Sequence, residues 1–210
     1  ILRRADLKGS DLSEADLSIA DLTGASLIDV KLVGANLERI KLNQAKLLGA
    51  HLSGAKINKG KLTQVDLSNA DLSGANMRGT DLTESNLEGC DLSRADLTEA
   101  ILQRANMKNA FLIGANLQKA ELDKVNLENA NIAGAKLRKA NCQKANMKNA
   151  DLQRSDLEHA DFTQADLSKA SLAGSKLGEA CFKNANLTGA DLSLSDKTDS
   201  DFSGAKGYNS

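Results

Sequence analysis

A motif of five residues decides the fold of this chain, and residues 145–169 show it most plainly: ANMKN ADLQR SDLEH ADFTQ ADLSK. Each group holds a small residue, a polar residue, an apolar residue and two further residues. We call the apolar residue the centre, and the other four the small, preceding, first following and second following positions. From Leu2 to Leu192 there are 39 centres, all of them apolar, and 31 are Leu.

A period of five fits neither an α-helix nor a flat strand. In a helix, successive centres would be rotated by a net ~140° and would point to every side. In a flat strand they would alternate between the two faces. The pattern therefore predicts one turn per pentapeptide, and four right-angled turns close a coil of 20 residues. Of the 16 glycines, 13 occupy the second following position, which is where a corner with positive φ is expected.

The A-(D/N)-L-x-x motif closely resembles the pentapeptide repeat family, and the resemblance covers essentially the whole chain. It implies an all-β fold: a right-handed quadrilateral parallel β-helix, a solenoid with four pentapeptides per coil. About ten coils at ~4.8 Å spacing give a rod roughly 50 Å long. The family is rich in cyanobacterial members, and the resemblance is compatible with a bacterial, cyanobacteria-like origin.

Two segments are predicted along the rod. Residues 1–192 form an uninterrupted β-helix with all 39 centres buried, and residues 193–210 form a degenerate C-terminal coil or tail. The register decays there because Lys197 occupies a centre, where a buried ammonium would be costly. Because Ile1 already lies inside the repeat, we expect the native protein to be longer at its N-terminus.

Residues 20 apart are predicted to stack on adjacent coils. This places three aromatic centres in one interior column, the structural core stack of Phe162, Phe182 and Phe202. It also places four amides in an outer column, Asn86, Asn106, Asn126 and Asn146. Stacked amides can hydrogen-bond from one coil to the next, as they do in other parallel β stacks.

Composition disfavours several classes of function. The net charge is -1 and only five residues are aromatic, which argues against a basic DNA-binding domain and a base-stacking platform. No stretch approaches the ~18 apolar residues of a membrane span. The three cysteines form no disulfide pattern, which favours a reducing and therefore cytoplasmic compartment.

No set of residues in the sequence indicates catalysis. His51 and His159 would lie more than five coils apart, and no metal or cofactor motif is present. Cys90 and Cys142 occupy inward positions, while Cys181 is outward beside Asp161 and Asp201 and is expected to be a poor nucleophile. The sequence predicts a protein that is not an enzyme and needs no cofactor.

Outward apolar residues indicate a candidate partner-binding patch. Phe111 and Ile113 flank Leu112 on one side, and Ile101 is expected on a neighbouring side. Ile28 and Leu48 are expected on adjacent coils of another side. Exposed apolar surface on a polar rod often marks an interaction site. We therefore expect a protein partner; the oligomeric state stays open.

Charge is segregated along the chain. The net charge is -3 over residues 1–30, +6 over 31–61, -6 over 62–100, +6 over 101–150 and -4 over 151–210. Like-charged residues such as Lys41 and Lys61 fall in one column, which suggests a partner or a neighbouring rod. Aromatic residues are few and the two basic bands form no continuous basic stripe, so nucleic-acid binding is disfavoured.

The leading hypothesis is a non-enzymatic rigid rod that acts as a protein–protein interaction scaffold. The resemblance implies an alternative, because some family members mimic duplex DNA, bind DNA gyrase and protect it from quinolone-type inhibitors. Those members are strongly acidic, dimerise through a C-terminal apolar element and in part carry loops. This chain is nearly neutral, has no such element and keeps its register without a loop.

Overall fold

The computed structural model describes residues 1–208, and these form a continuous parallel β-coil. Regular pairing is confined to single residues, one in each pentapeptide: the preceding residue pairs in parallel with the one 20 positions later. These pairs run without a break from Asp6 with Ser26 to Asn186 with Lys206. Within residues 1–208 there is no helix, and hence none with the length and apolarity that crossing a membrane requires.

Four turns per coil give the rod four sides. Side 1 carries the centres Leu2 to Phe202 in steps of 20, and side 2 carries Leu7 to Leu187. Side 3 carries Leu12 to Leu192, and side 4 carries Leu17 to Leu177. Because the coil repeats every 20 residues, residues ten apart lie on opposite sides.

Backbone hydrogen bonds join each coil to the next. The N–H of Leu102 donates to the carbonyl of Glu121 (2.7 Å), and the N–H of Glu121 donates to the carbonyl of Ala100 (2.9 Å). A third bond runs from each second following N–H to a first following carbonyl of the next coil. The turn itself is closed by the N–H of Ala105 donating to the carbonyl of Leu102 (3.0 Å).

Every corner has a left-handed backbone. All 13 glycines at the second following position have positive φ, and so do 28 non-glycine residues, each of them at the same position. A left-handed φ costs an L-residue roughly 1–2 kcal/mol. The corner geometry is therefore imposed by the coil and does not depend on glycine.

The interior consists of centres and small residues. From Leu22 to Leu187 every centre is buried, which confirms the register along that length. The prediction that all 39 centres are buried is wrong at the ends: Leu2 is 42% exposed, and four more centres are only half-buried, namely Leu7, Leu12, Leu17 and Leu192. The physical reason is that an end coil has a neighbour on one side only.

The coil continues past the predicted boundary at Leu192. Backbone pairing extends to Lys206, while Lys197 lies outside the core, exposed, with its Nζ donating to the carbonyl of Leu192 (3.4 Å). Leu194 is also exposed. The predicted tail is thus a coil with degenerate side chains; its last two residues, 209–210, lie outside the described residues.

An aromatic column ends the core at the C-terminus. The rings of Phe162 and Phe182, and of Phe182 and Phe202, are stacked with centroids 5.0 Å apart in each pair. Tyr208, which the sequence did not lead us to include, stacks on Phe202 with centroids 3.9 Å apart. At Gly207, which has a φ of +74°, a Cβ would lie 2.5 Å from the Cα of Thr188. A glycine therefore allows the chain to turn across the end of the coil.

Amide ladders lie along side 2. The Asn106, Asn126 and Asn146 side chains each donate to the amide oxygen one coil earlier, at 3.0–3.1 Å. A second ladder that the sequence analysis did not identify links Asn129 to Asn109 (3.3 Å) and Asn149 to Asn129 (3.0 Å). These ladders add side-chain hydrogen bonds to the backbone pairing of the middle coils.

The first prediction concerns corner strain. Replacing Lys124, which has a φ of 57°, by Gly should raise the free energy of unfolding by about 1 kcal/mol, because glycine adopts this φ without a Cβ clash. Lys124→Ala is the control, because it removes the charge and keeps the Cβ. Gly134→Ala should cost about the same amount, since no atom lies within 4 Å of the added Cβ. Denaturant unfolding measures all three variants, and equal stability of Lys124→Gly and Lys124→Ala would contradict the argument.

The second prediction concerns acid. Side-chain and backbone hydrogen bonds from Ser13 lower the pKa of Asp11, and those from Ser18 act likewise on the pKa of Asp16. Hydrogen bonds from the Thr23 and Arg3 side chains, chiefly, lower the pKa of Asp21 to about 2. A carboxyl group whose pKa is lower in the folded state stabilises the fold above its unfolded pKa, and this stability is lost as pH falls.

The melting temperature should therefore be flat above about pH 5 and fall between about pH 4 and pH 2. The variant with Asp11→Asn, Asp16→Asn and Asp21→Asn should show a smaller fall, because Asn keeps an acceptor oxygen and does not titrate in this range. Thermal melts across this pH range check it. An identical acid dependence of the two proteins would contradict the assignment.

Candidate protein-interaction surface

The groups that commonly perform catalysis are dispersed in this rod. Among residues 1–208, no three His, Cys, Asp or Glu residues lie close enough to hold a metal ion. Burial raises the pKa of Cys90 to about 12 and also raises the pKa of Cys142, so both thiols are inert core groups. Cys181 is half-buried with its Sγ 3.3 Å from the Thr163 hydroxyl, and His159 contacts Glu179 at 3.2 Å.

Phe111 and Ile113 lie together on side 3. Both point outward from the same pentapeptide, and their exposed fractions are 48% and 45%. Phe111 pairs through its backbone with Asp91 and Asn131 on the adjacent coils. The protein's own chain leaves both side chains exposed, and at both positions most other pentapeptides carry polar residues.

The other predicted patch residues lie elsewhere. Ile101 precedes Phe111 by ten residues and lies on side 1, so the expectation of a neighbouring side was wrong: half a coil separates the two. Ile28 and Leu48 lie on side 2, on adjacent coils near the N-terminal end; Ile28 is half-buried and Leu48 is 40% exposed. The five residues therefore lie on three sides: Phe111 and Ile113 are together on side 3, Ile28 and Leu48 are adjacent on side 2, and Ile101 is alone on side 1.

Side 3 is the least charged of the four sides. Of its 20 residues at the first and second following positions, only Glu14, Arg94 and Arg154 are charged, whereas side 4 has 11 charged residues at its 20 equivalent positions. Small residues take most of these positions on side 3, among them Ser73, Ala133 and Ala173. Their low profile leaves Phe111 and Ile113 accessible.

A shallow open hollow lies beside Ile113. It is lined by Ser73, Gly74, Ser93, Arg94 and Ile113. At Gly74 no atom lies within 4 Å of where a Cβ would be, so the fold leaves space there. Sequence analysis missed Arg94; its signal was that only three residues at the following positions of side 3 are charged.

Carboxylates partly offset the like-charged columns of the basic bands. Arg104 lies 3.3 Å from Glu84, and Lys124 lies 3.5 Å from Asp123. These pairs are exposed, and each contributes about 0–1 kcal/mol. Lys41 and Lys61 remain backbone-paired neighbours in one column. Ion pairs within the chain therefore neutralise only part of the positive charge on the surface of the two basic bands.

Known proteins share this architecture. HetL, a pentapeptide repeat protein involved in heterocyst differentiation regulation from the cyanobacterium Nostoc sp. strain PCC 7120, is 32% identical, with a TM-score of 0.56. The match covers 99% of this chain and 93% of HetL. QnrB1, a plasmid-mediated fluoroquinolone resistance protein, is 20% identical over 86% of this chain and 91% of its own, with a TM-score of 0.57.

A third solved structure belongs to the pentapeptide repeat protein Rfr23 from the cyanobacterium Cyanothece 51142. It is 22% identical over 58% of this chain and 90% of its own, with a TM-score of 0.39. A search of functionally curated proteins found no match.

The family model for pentapeptide repeats matches eight copies, which together span residues 1–204. With the repeated motif, the 20-residue pairing and the match to HetL along almost its whole length, this chain belongs to the pentapeptide repeat family.

Proposed function

We propose that this protein is a non-enzymatic, rigid interaction rod that binds a protein partner through side 3, with Phe111 and Ile113 as the anchors. The observation that carries the proposal is the exposure of these two side chains, 48% and 45%, on the least charged side. Folding does not require either of them, because the neighbouring coils on side 3 have Asp91 and Asn131 in place of Phe111, and Ser93 and Ala133 in place of Ile113.

The finer features of the architecture belong to the same proposal. A right-handed sense and about ten coils, ~4.8 Å apart, would give a straight surface roughly 50 Å long. The 20-residue backbone pairing supports this geometry. A rod of this kind can display side chains to a partner at a fixed spacing. We also propose that the protein is located in the cytoplasm.

Gyrase binding by DNA mimicry is less well supported. The net charge of -1 gives no duplex-like acidic surface, and the likeness to QnrB1, at 20% identity, concerns the fold alone. HetL is involved in the regulation of heterocyst differentiation, and a regulatory role for this chain is compatible with the proposed rod.

The third prediction tests the anchors. Changing Phe111→Asn and Ile113→Ser returns both positions to polar residues common at these positions. The melting temperature should be unchanged or higher, while binding to a partner captured from the source organism should weaken by about 1–2 kcal/mol or more, the range for lost anchors. Affinity is then measured with the purified partner.

The matched control is Ile101→Asn with Gln103→Ser, which alters the same two positions on the opposite side of the rod. Partner affinity should survive in this control. Retention of every partner at native affinity by the Phe111 and Ile113 variant would refute the proposed surface.

A further inference from the structure

Side 3 has a second property besides its exposed apolar pair. Between residues 101 and 150, where the chain as a whole carries +6, side 3 has no charged residue. Its two corner arginines, Arg94 and Arg154, are exposed, and within residues 1–208 neither has a carboxylate within 4 Å. An apolar centre with unpaired cations at its margin indicates a surface that lacks its counterpart.

We propose that this counterpart is a second copy of the chain, so that side 3 is the interface of a parallel, two-fold symmetric homodimer. The proposal rests on the proposed function, because it names the partner of the same surface. A two-fold interface is self-complementary: if residue i meets residue j, then j meets i.

The apolar contact fits a two-fold axis that runs parallel to the rod over the centres of side 3. Such an axis places each preceding residue opposite the first following residue of the same coil in the other copy. Phe111 then faces the partner subunit's Ile113, and Ile113 faces the partner subunit's Phe111. Each aromatic ring gains an aliphatic neighbour in the middle of the interface, where anchors contribute most.

Two of the three charged corners of side 3 favour the same arrangement, whereas the third, Glu14, would lie towards the partner subunit's Asp11. Arg94 lies at one margin of side 3 and Asp91, of the same coil, lies towards the other. The parallel axis brings Arg94 towards the partner subunit's Asp91, and it pairs Arg154 with Asp151 in the same way. An antiparallel arrangement centred on Phe111 would instead place Asp71 opposite Asp151, with Lys31 opposite Asp191 as its one attractive pair of preceding residues. Opposed like charges suppress a wrong pairing.

Shape and area are sufficient for such an interface. The preceding residues of side 3 would face small residues, such as Ser93 opposite Asp91 and Ala133 opposite Asn131. One of four sides of a rod with 9385 Å² of accessible surface offers on the order of 2,000 Å², so less than half of it reaches the ~800 Å² per partner of a standard interface.

The fourth prediction tests association by sedimentation equilibrium over a concentration series of the full chain. The wild-type protein should dimerise, and Phe111→Asn with Ile113→Ser should raise the dissociation constant at least about tenfold. Arg94→Glu should also weaken the dimer, and adding Asp91→Lys should restore it. Side 3 already has a Glu at a corner, Glu14, and a Lys at a preceding position, Lys31, so the coil accommodates both substitutions. The Ile101→Asn and Gln103→Ser control should leave association unchanged.

Disulfide trapping tests the orientation. One chain carries Ser171→Cys and another Ala173→Cys, both with Cys181→Ser to remove the one half-exposed native thiol. A disulfide-linked dimer should form when the two are mixed and not in either alone. On the opposite side, mixing a chain that keeps Cys181 with one carrying Lys183→Cys and Cys181→Ser should give no link.

Three outcomes overturn the dimer. They are a wild-type chain that stays monomeric throughout the series, a dimer indifferent to the Phe111 and Ile113 changes, and a link from Ser171→Cys to a His51→Cys chain, which would mean antiparallel packing. A monomeric chain that binds another protein through Phe111 and Ile113 would overturn the dimer and leave the proposed function standing.

Discussion

Coil-to-coil backbone hydrogen bonding is the interaction on which the rest of this structure depends. In each interior pentapeptide, the N–H groups of the centre, the preceding and the second following residue donate to an adjacent coil, and the small residue closes the turn. Every pentapeptide must therefore keep the same geometry, including a left-handed corner that 28 non-glycine residues accept. Because each coil contacts only its neighbours, stability is a sum of local terms, and the two ends are its weakest parts.

This division of roles leaves the outward positions free to vary. The centre and small positions fill the core, so three positions in five can change without altering the backbone. On sides 1, 2 and 4 they carry charges and amide ladders that add modest hydrogen bonds and ion pairs between coils. On side 3 the two following positions are mostly small and uncharged, and Phe111 with Ile113 forms an exposed apolar pair. That contrast is why we assign binding to side 3.

The sequence was sufficient for the fold because one period accounts for every interior residue, and the 20-residue stacking of Phe162 on Phe182 follows from it. It was less informative at the ends, where burial depends on a missing neighbour: Leu2 satisfies the motif and is still 42% exposed. Tyr208 lies beyond the repeat, and its stacking depends on the turn at Gly207. The patch was overestimated because Ile101 was judged by its apolar character, although the ten-residue offset places it opposite Phe111.

Residue-resolved hydrogen exchange under native conditions tests the central claim most directly. The account predicts a period of five: four N–H groups of each interior pentapeptide are protected, and the first following N–H, which donates to no backbone carbonyl, exchanges fastest. The N–H of Ser93 also donates to the Asp91 side chain (2.8 Å), whereas Phe111 has no side-chain oxygen that could accept from the N–H of Ile113. The N–H of Ile113 should therefore exchange before the N–H of Ser93. Protection should be greatest in the middle coils and fall towards both ends. Protection without this period, or middle coils that open before the ends, would contradict the account.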